Sequence, residues 1–192
     1  MRVRITEDIL ERVTHWFERQ RARAAALGRP GAVDALAHAL QCAQLAEEAG
    51  AAAPLVVAAL LHDVGHLVAI DDLGDRGELD DAHELRGAAV LLRDFPVAVV
   101  EPVRLHVAAK RYLTTVDPLY AACLSTASLH SLAQQGGPMS RAEVARFEAL
   151  PHARDAVRLR HWDDVAQVPG RQTPALGHYL ALADALRLAA RP

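Results

Sequence analysis

The chain has 192 residues, 52% of them apolar, with 21 Lys and Arg against 24 Asp and Glu and a formal charge of −3. That length and apolar share suit one soluble domain around one sizeable core and exclude disorder as its dominant state. Near-neutral charge with only 4% aromatic residues argues against nucleic acid, which needs a basic surplus and stacking platforms, and leaves small molecules as the expected partners.

The N-terminus, Met-Arg-Val-Arg-Ile-Thr-Glu-Asp, lacks the apolar core of a signal peptide, and no window reaches about 18 uncharged apolar residues. We therefore expect neither export nor a membrane span. Ala and Leu dominate and strand-length alternation is absent, so the fold class is all-α. Ile9, Leu10, Val13, Trp16 and Phe17 recur at helical spacing and predict a first helix over Glu7–Ala26, capped by Thr6 and broken at Gly28, Pro30 and Gly31. A second helix is expected over Val33–Ala49, and a third, apolar almost all round, over Pro54–Val68 with Pro54 in its first turn. Asp71–Asp81 is Asp- and Gly-rich and reads as a surface loop able to reach over a site; Asp81 with Glu84 reads as a capping box opening a fourth helix.

Further helices are expected at Pro96–Tyr112, Leu119–Gln134, Arg141–Leu150, His152–Val165 and Pro174–Ala190, with Ser140 and Glu143 as a second capping box. The two cysteines, Cys42 and Cys123, have no disulfide-framework or metal-finger spacing. Both read as small core hydrophobes in a reducing cytoplasm. There is no internal repeat, and one domain over residues 1–192 is the simplest organisation.

The chemistry concentrates at Leu60-Leu61-His62-Asp63-Val64-Gly65-His66. A carboxylate in so apolar a helix costs several kcal/mol unless a cation compensates it. His62 and His66 share a helical face at i,i+4, and Asp63 can converge with His62 on a metal at their common edge. His38 in the preceding helix, His83 after the acidic loop, His106 and Asp163 complete four His and two Asp. Taken alone, a histidine on an apolar helix is more often a hydrogen-bonded core residue than a ligand, and either Asp163 or Asp164 can be a solvated charge or a helix-end residue. As a set without thiolate they suit iron, manganese, zinc or cobalt, and six ligands suggest two metals bridged by Asp63. His15, His130, His152, His161 and His178 are left to surface or ordinary packing.

His38, His62-Asp63 and Asp163 follow the H…HD…D pattern of the HD-domain superfamily, and His83-Glu84-Leu85-Arg86-Gly87-Ala88 with His106 resembles its dinuclear branch. Most of that superfamily hydrolyses phosphate esters. The segments His38-Ala39-Leu40-Gln41-Cys42-Ala43, Ala58-Ala59-Leu60-Leu61-His62-Asp63, His106-Val107-Ala108-Ala109-Lys110-Arg111-Tyr112-Leu113, Gln135-Gly136-Gly137-Pro138-Met139 and Trp162-Asp163 resemble, more narrowly, the HD-domain di-iron oxygenases that cleave 1-hydroxyphosphonates. That group is related to myo-inositol oxygenase, and the similarity runs over about 34–180.

The resemblance implies a helical bundle with a mixed-valence pair of iron ions between central helices, and dioxygen as co-substrate. The reaction it implies breaks a C–P bond and releases phosphate and a carboxylic acid. It selects Asp163 over Asp164 and implies that His38, His62, Asp63 and Asp163 hold the first iron, and Asp63, His83 and His106 the second. Lys110, one turn after His106, and His66, one turn after His62, are expected to contact the phosphonate and to serve catalysis, with Ser128 and Arg160 completing the anion pocket. A small organophosphonate is thus the expected partner, and the chain is expected to be a cytoplasmic monomer or homodimer.

A dinuclear phosphohydrolase acting on a small phosphate ester or nucleotide shares the same ligand skeleton and is the alternative; a metal-binding interaction domain without turnover is a third. One departure concerns specificity. Phosphonate-cleaving relatives of this kind carry an aromatic hydroxyl and an acidic residue ahead of the first ligand histidine, where this chain has Gly28 and Gly31. Selection for an aminoalkyl substituent is not expected, and a smaller or uncharged 1-hydroxyphosphonate is.

Overall fold

The computed structural model describes residues 8–26, 33–73 and 82–190. Among them the chain forms helices only: α1 (Ile9–Ala26), α2 (Ala35–Glu48), α3 (Ala53–Leu61), α4 (Val64–Leu73), α5 (His83–Leu91), α6 (Val97–Val116), α7 (Pro118–Cys123), α8 (Thr126–Gln134), α9 (Arg141–Glu148), α10 (Ala153–Val165) and α11 (Leu176–Ala190). No helix among the described residues is long and apolar enough to cross a membrane.

The helix expected over Pro54–Val68 divides in two. α3 ends at Leu61 and α4 begins at Val64, with His62 and Asp63 in the turn between them. Gly65 gives the physical reason: it is a poor helix former, and its lack of a side chain lets α4 pack directly on the backbone of α5 at His83 and Gly87. The expected helix over Leu119–Gln134 also divides, into α7 and α8, because Ser125 turns its hydroxyl onto the Ser128 amide at 3.1 Å and starts a new helix.

Other ends move by a few residues. The Ser140–Glu143 capping box closes as expected, with both reciprocal bonds present. Asp34 caps α2 by accepting from the Ala37 amide at 2.7 Å. α4 continues to Leu73, so the acidic segment starts later than Asp71. Thr6, Gly28, Pro30, Gly31, and Asp81 with most of its acidic loop lie outside the described residues, so the caps, the break and the specificity departure expected there do too.

α3 is the axis of the bundle. Every residue from Leu55 to Leu61 is buried, and α2, α6, α10 and α11 pack around it. This explains its lack of polar positions, since a helix surrounded on all sides has no solvent face. α1 lies across α2 and α4 and buries Ile9, Val13, Trp16 and Phe17 in the same core. A smaller core of Leu105, Ala109, Met139, Phe147, Ala153 and Ala156 joins α6, α9 and α10. The consequence for function is that α2, the α3–α4 turn, α5, α6 and α10 all reach one point beside α3.

Candidate metal centre

Three of the four histidines at that point are held by a backbone carbonyl that the ring reaches. His38 on α2 donates from Nδ1 to the Ala166 carbonyl at 2.9 Å, His62 to Ala59 at 2.9 Å, and His106 on α6 to Val103 at 2.7 Å. These bonds fix Nδ1 as the protonated nitrogen and leave the Nε2 lone pair facing inward. The lone pairs converge. Nε2 of His38 lies 3.3 Å from Nε2 of His62, and Nε2 of His83 on α5 lies 3.0 Å from Nε2 of His106.

Two acceptors at such distances repel unless a cation lies between them or one takes a proton. Metal–ligand bonds of about 2.1 Å give donor atoms about 3 Å apart. The donor set therefore fits a metal.

The carboxylates complete two groups. Asp163 on α10 places Oδ1 3.2 Å from His38 Nε2 and 3.5 Å from His62 Nε2. Asp63, in the α3–α4 turn, places Oδ1 3.6 Å from Nε2 of both His62 and His83 and 3.9 Å from His106, and Oδ2 4.0 Å from His38. Asp63 is thus the residue common to both histidine pairs. His62 and Asp63 follow one another in the α3–α4 turn, and both side chains face the same space.

The electrostatics of the metal-free cluster divide it in the same way. Burial pushes the His38 and His62 imidazoles down, but Asp163 beside His38, and Asp63 with Asp163 beside His62, outweigh it and raise them to about 10 and about 9. His83 and His106 are lowered to about 3, by burial first and then by neighbouring imidazoles. Burial would raise both aspartates. The imidazoles around Asp63, and the Arg160 guanidinium with His62 and His38 around Asp163, hold both below the usual carboxylate range.

The four remaining expected site residues fall in different places. The His66 ring stacks on His83, centroids 3.8 Å apart, at the rim. Lys110 is buried on α6 and donates from Nζ to the Ser131 hydroxyl at 2.8 Å. The hydroxyl beside Lys110 is therefore Ser131, a residue that the sequence did not single out. Ser128 instead pairs with Ser125 at 3.0 Å and lines a separate cavity of about 230 Å³ with Tyr120, His161 and Asp164.

Arg160 is buried and faces inward rather than standing in solvent. It donates to Asp163 Oδ2 at 2.7 Å, to Asp164, and to the Tyr120 hydroxyl at 3.1 Å. Tyr120 in turn donates to Asp164 at 2.7 Å. Tyr120 and Asp164 thus join the site through Arg160, a link between α7 and α10 that has no sequence signature. Cys42 is buried as expected but lies 3.7 Å from His38 Nε2, whereas Cys123 is exposed and not a core residue. A cavity of about 590 Å³ opens on the centre, lined by Val33, His38, Asp63, Asp163, Gln167 and Pro169.

The HD domain family matches residues 35–189, which include every residue of this centre. The chain belongs to the HD domain family. Among curated relatives it is 42% identical over 159 residues to the [1-hydroxy-2-(trimethylamino)ethyl]phosphonate dioxygenase (glycine-betaine-forming) of Leisingera caerulea, covering 80% of this chain and 78% of the relative. It is 43% identical over 172 residues to the hydroxymethylphosphonate dioxygenase of Gimesia maris, covering 88% of this chain and 85% of the relative. Both relatives are named as oxygenases of small phosphonates, in agreement with the narrower resemblance read from the sequence.

Proposed function

We propose that this HD-domain protein is a metal-dependent dioxygenase that cleaves the C–P bond of a small 1-hydroxyalkylphosphonate. The observation that carries the reading is the pair of inward-facing imidazole sets, one at 3.3 Å and one at 3.0 Å, joined by Asp63. It is supported by the two phosphonate dioxygenases to which the chain is similar over most of its length. His38, His62, Asp63 and Asp163 would hold one iron, and Asp63, His83 and His106 would hold the other. The iron pair, mixed-valence by resemblance, supplies the electron transfer to dioxygen that no side chain here provides.

The reaction balances without an external reductant. One dioxygen supplies both added oxygens: the C1–P bond breaks, C1 leaves as a carboxylic acid, and phosphorus leaves as phosphate. The protein's task is to bind the dianion in one pose and keep C1 toward the metals. The Lys110 ammonium, fixed by Ser131 one turn from His106, is placed to take a phosphonate oxygen. His66, stacked on His83, offers a second donor at the rim.

Arg160 neutralises Asp163 while its own position is set by Asp164 and Tyr120. It orients a ligand carboxylate and adds positive potential to the anion pocket. Ser128, on the wall of a separate cavity, is not assigned to that pocket.

The test is phosphate release from a panel of 1-hydroxyphosphonates by anaerobically prepared, iron-loaded protein, before and after dioxygen is admitted, beside a panel of phosphate esters. Oxygen-dependent release with dioxygen and phosphate in equal amounts is the expected result. Oxygen-independent release from esters alone would replace the reading with a phosphohydrolase.

A further inference from the structure

A second, smaller cavity of about 220 Å³ meets the centre from the side of α1. It shares Ala35 and Asp63 with the larger opening and is otherwise walled by apolar side chains, among them Phe17, Leu60 and Leu67, with His66 at its edge. It falls below the roughly 300–1,000 Å³ of sites for drug-sized ligands, so it suits a short substituent.

One polar side chain breaks the apolar wall away from the metal ligands. On α1 the inward stripe runs Val13, Trp16 and Phe17, all buried, and its next position is Gln20. An apolar residue would extend the stripe; instead the Gln20 side chain lines the cavity. Its Oε1 lies beneath the wall, closed to water, and has no hydrogen-bond partner among the described residues, so the amide must swing toward the cavity to meet a donor there. A buried amide oxygen without a donor is a cost that native interiors avoid unless a ligand or water meets it.

Resting on the dioxygenase reading above, we propose that Gln20 is a specificity-determining residue. Its amide oxygen accepts a hydrogen bond from an uncharged donor, a hydroxyl, on the carbon adjacent to C1 of the phosphonate. The chemistry of the wall selects that donor. A trimethylammonium group has no N–H to give. A primary ammonium needs a carboxylate in so apolar a space, and Asp63, the carboxylate on this wall, is committed to the metals. A plain methyl leaves Oε1 unmet. Because the group does not react, its recognition acts on substrate affinity and thus on KM.

The experiment compares (1,2-dihydroxyethyl)phosphonate with its near-isostere (1-hydroxypropyl)phosphonate, using phosphate release by iron-loaded wild type, Gln20→Leu and Gln20→Glu. Wild type is expected to favour the diol about tenfold in kcat/KM, the factor that one ordinary hydrogen bond supplies. Gln20→Leu should erase that preference through KM with kcat retained. Gln20→Glu should shift relative turnover toward the 2-amino analogue.

A ratio taken on one preparation cancels any loss of folded protein. No diol preference in wild type, or a preference that survives Gln20→Leu, overturns the assignment while the dioxygenase reading stands. Absence of oxygen-dependent release from every phosphonate overturns both.

Discussion

Replacing Gly65 by Ala tests whether the metal centre depends on the close approach of α4 to α5. A Cβ at that position would stand 1.9 Å from the His83 carbonyl oxygen, 2.7 Å from the His83 carbonyl carbon and 2.8 Å from the Gly87 nitrogen. All three atoms are backbone, so no rotamer change relieves the clash. To restore ordinary contact at about 3.4 Å, α5 must retreat from α4 by about 1.5 Å.

His83 is the first residue of α5 and the one whose carbonyl is struck, so its imidazole moves with the helix. Metal–ligand bonds tolerate errors of about 0.2 Å, an order of magnitude less than that displacement. Overpacking of this kind costs about 1–3 kcal/mol or more. In a chain of this length that is roughly 2–12 °C in Tm.

Gly65→Ala is therefore expected to melt lower and to lose the metal held by His83 and His106 before the one held by His38 and His62. Calorimetry and metal analysis per chain read both effects. Gly177→Ala is the control, because a Cβ there meets nothing within 4 Å; it should match or slightly exceed wild-type stability. A Gly65→Ala protein with wild-type Tm and full metal content would refute the argument.

Asp63→Ala should lose metal from both histidine sets, since Asp63 is their common carboxylate; full retention by metal analysis would end its bridging assignment. Lys110→Ala should keep its metals but raise KM for a phosphonate about 10- to 100-fold, the range of a charge-assisted hydrogen bond; an unchanged KM would remove Lys110 from the anion pocket. Metal affinity should rise with pH between about 7 and 10 at the His38–His62 set. His38 and His62, raised to about 10 and about 9, hold protons there that a cation must expel. The His83–His106 set, lowered to about 3, should show little dependence over that range. Calorimetric titration in buffers of different ionisation enthalpy counts the protons released.

The stability of the metal-free chain follows from the same values. Unfolded His83 and His106 take up protons as pH falls below about 6.5, whereas the folded imidazoles refuse them down to about 3, so this contribution is lost as pH falls through that window. Raised His38 and His62 work oppositely: their contribution is full below about 6.5 and is lost as pH rises through 9 to 10. Thermal unfolding of chelator-treated protein across pH should show a maximum between the two limits, and a flat profile would contradict the electrostatic description of the cluster.

The composition and periodicity were enough for the helical class, for the unusual all-apolar helix at the centre and for a metal site built on His62-Asp63, whereas the choice of Asp163 over Asp164 came from the family resemblance. A carboxylate between Leu60-Leu61 and Val64 announces itself because apolar neighbours make its burial expensive without a cation. Less local features were not legible. The break between α3 and α4 is invisible to periodicity, because the apolar run continues through it; it exists because Gly65 lets another helix approach. Arg160 alone looks like a solvated helix residue, and only the return of α7 toward α10 gives it Tyr120 as a partner.

Gln20 is an ordinary polar residue by composition, and only the packing of α1 over α2 and α4 turns it toward a cavity. Ser131 and Ser128 lie three residues apart, and the trajectory of α8 puts Ser131 on Lys110.

Residue types and their spacing along one helix thus determined which chemistry this chain is able to hold, because ligand identity and i,i+4 neighbours are properties of the local chain. Which side chains converge, which ligand carboxylate receives an arginine and what walls the space beside Asp63 were decided by tertiary structure. Those contacts join residues as far apart as 40 positions in the Arg160–Tyr120 pair and 128 in the His38–Ala166 pair. No local rule reaches across such separations: the packing of helices against α3 brings them together.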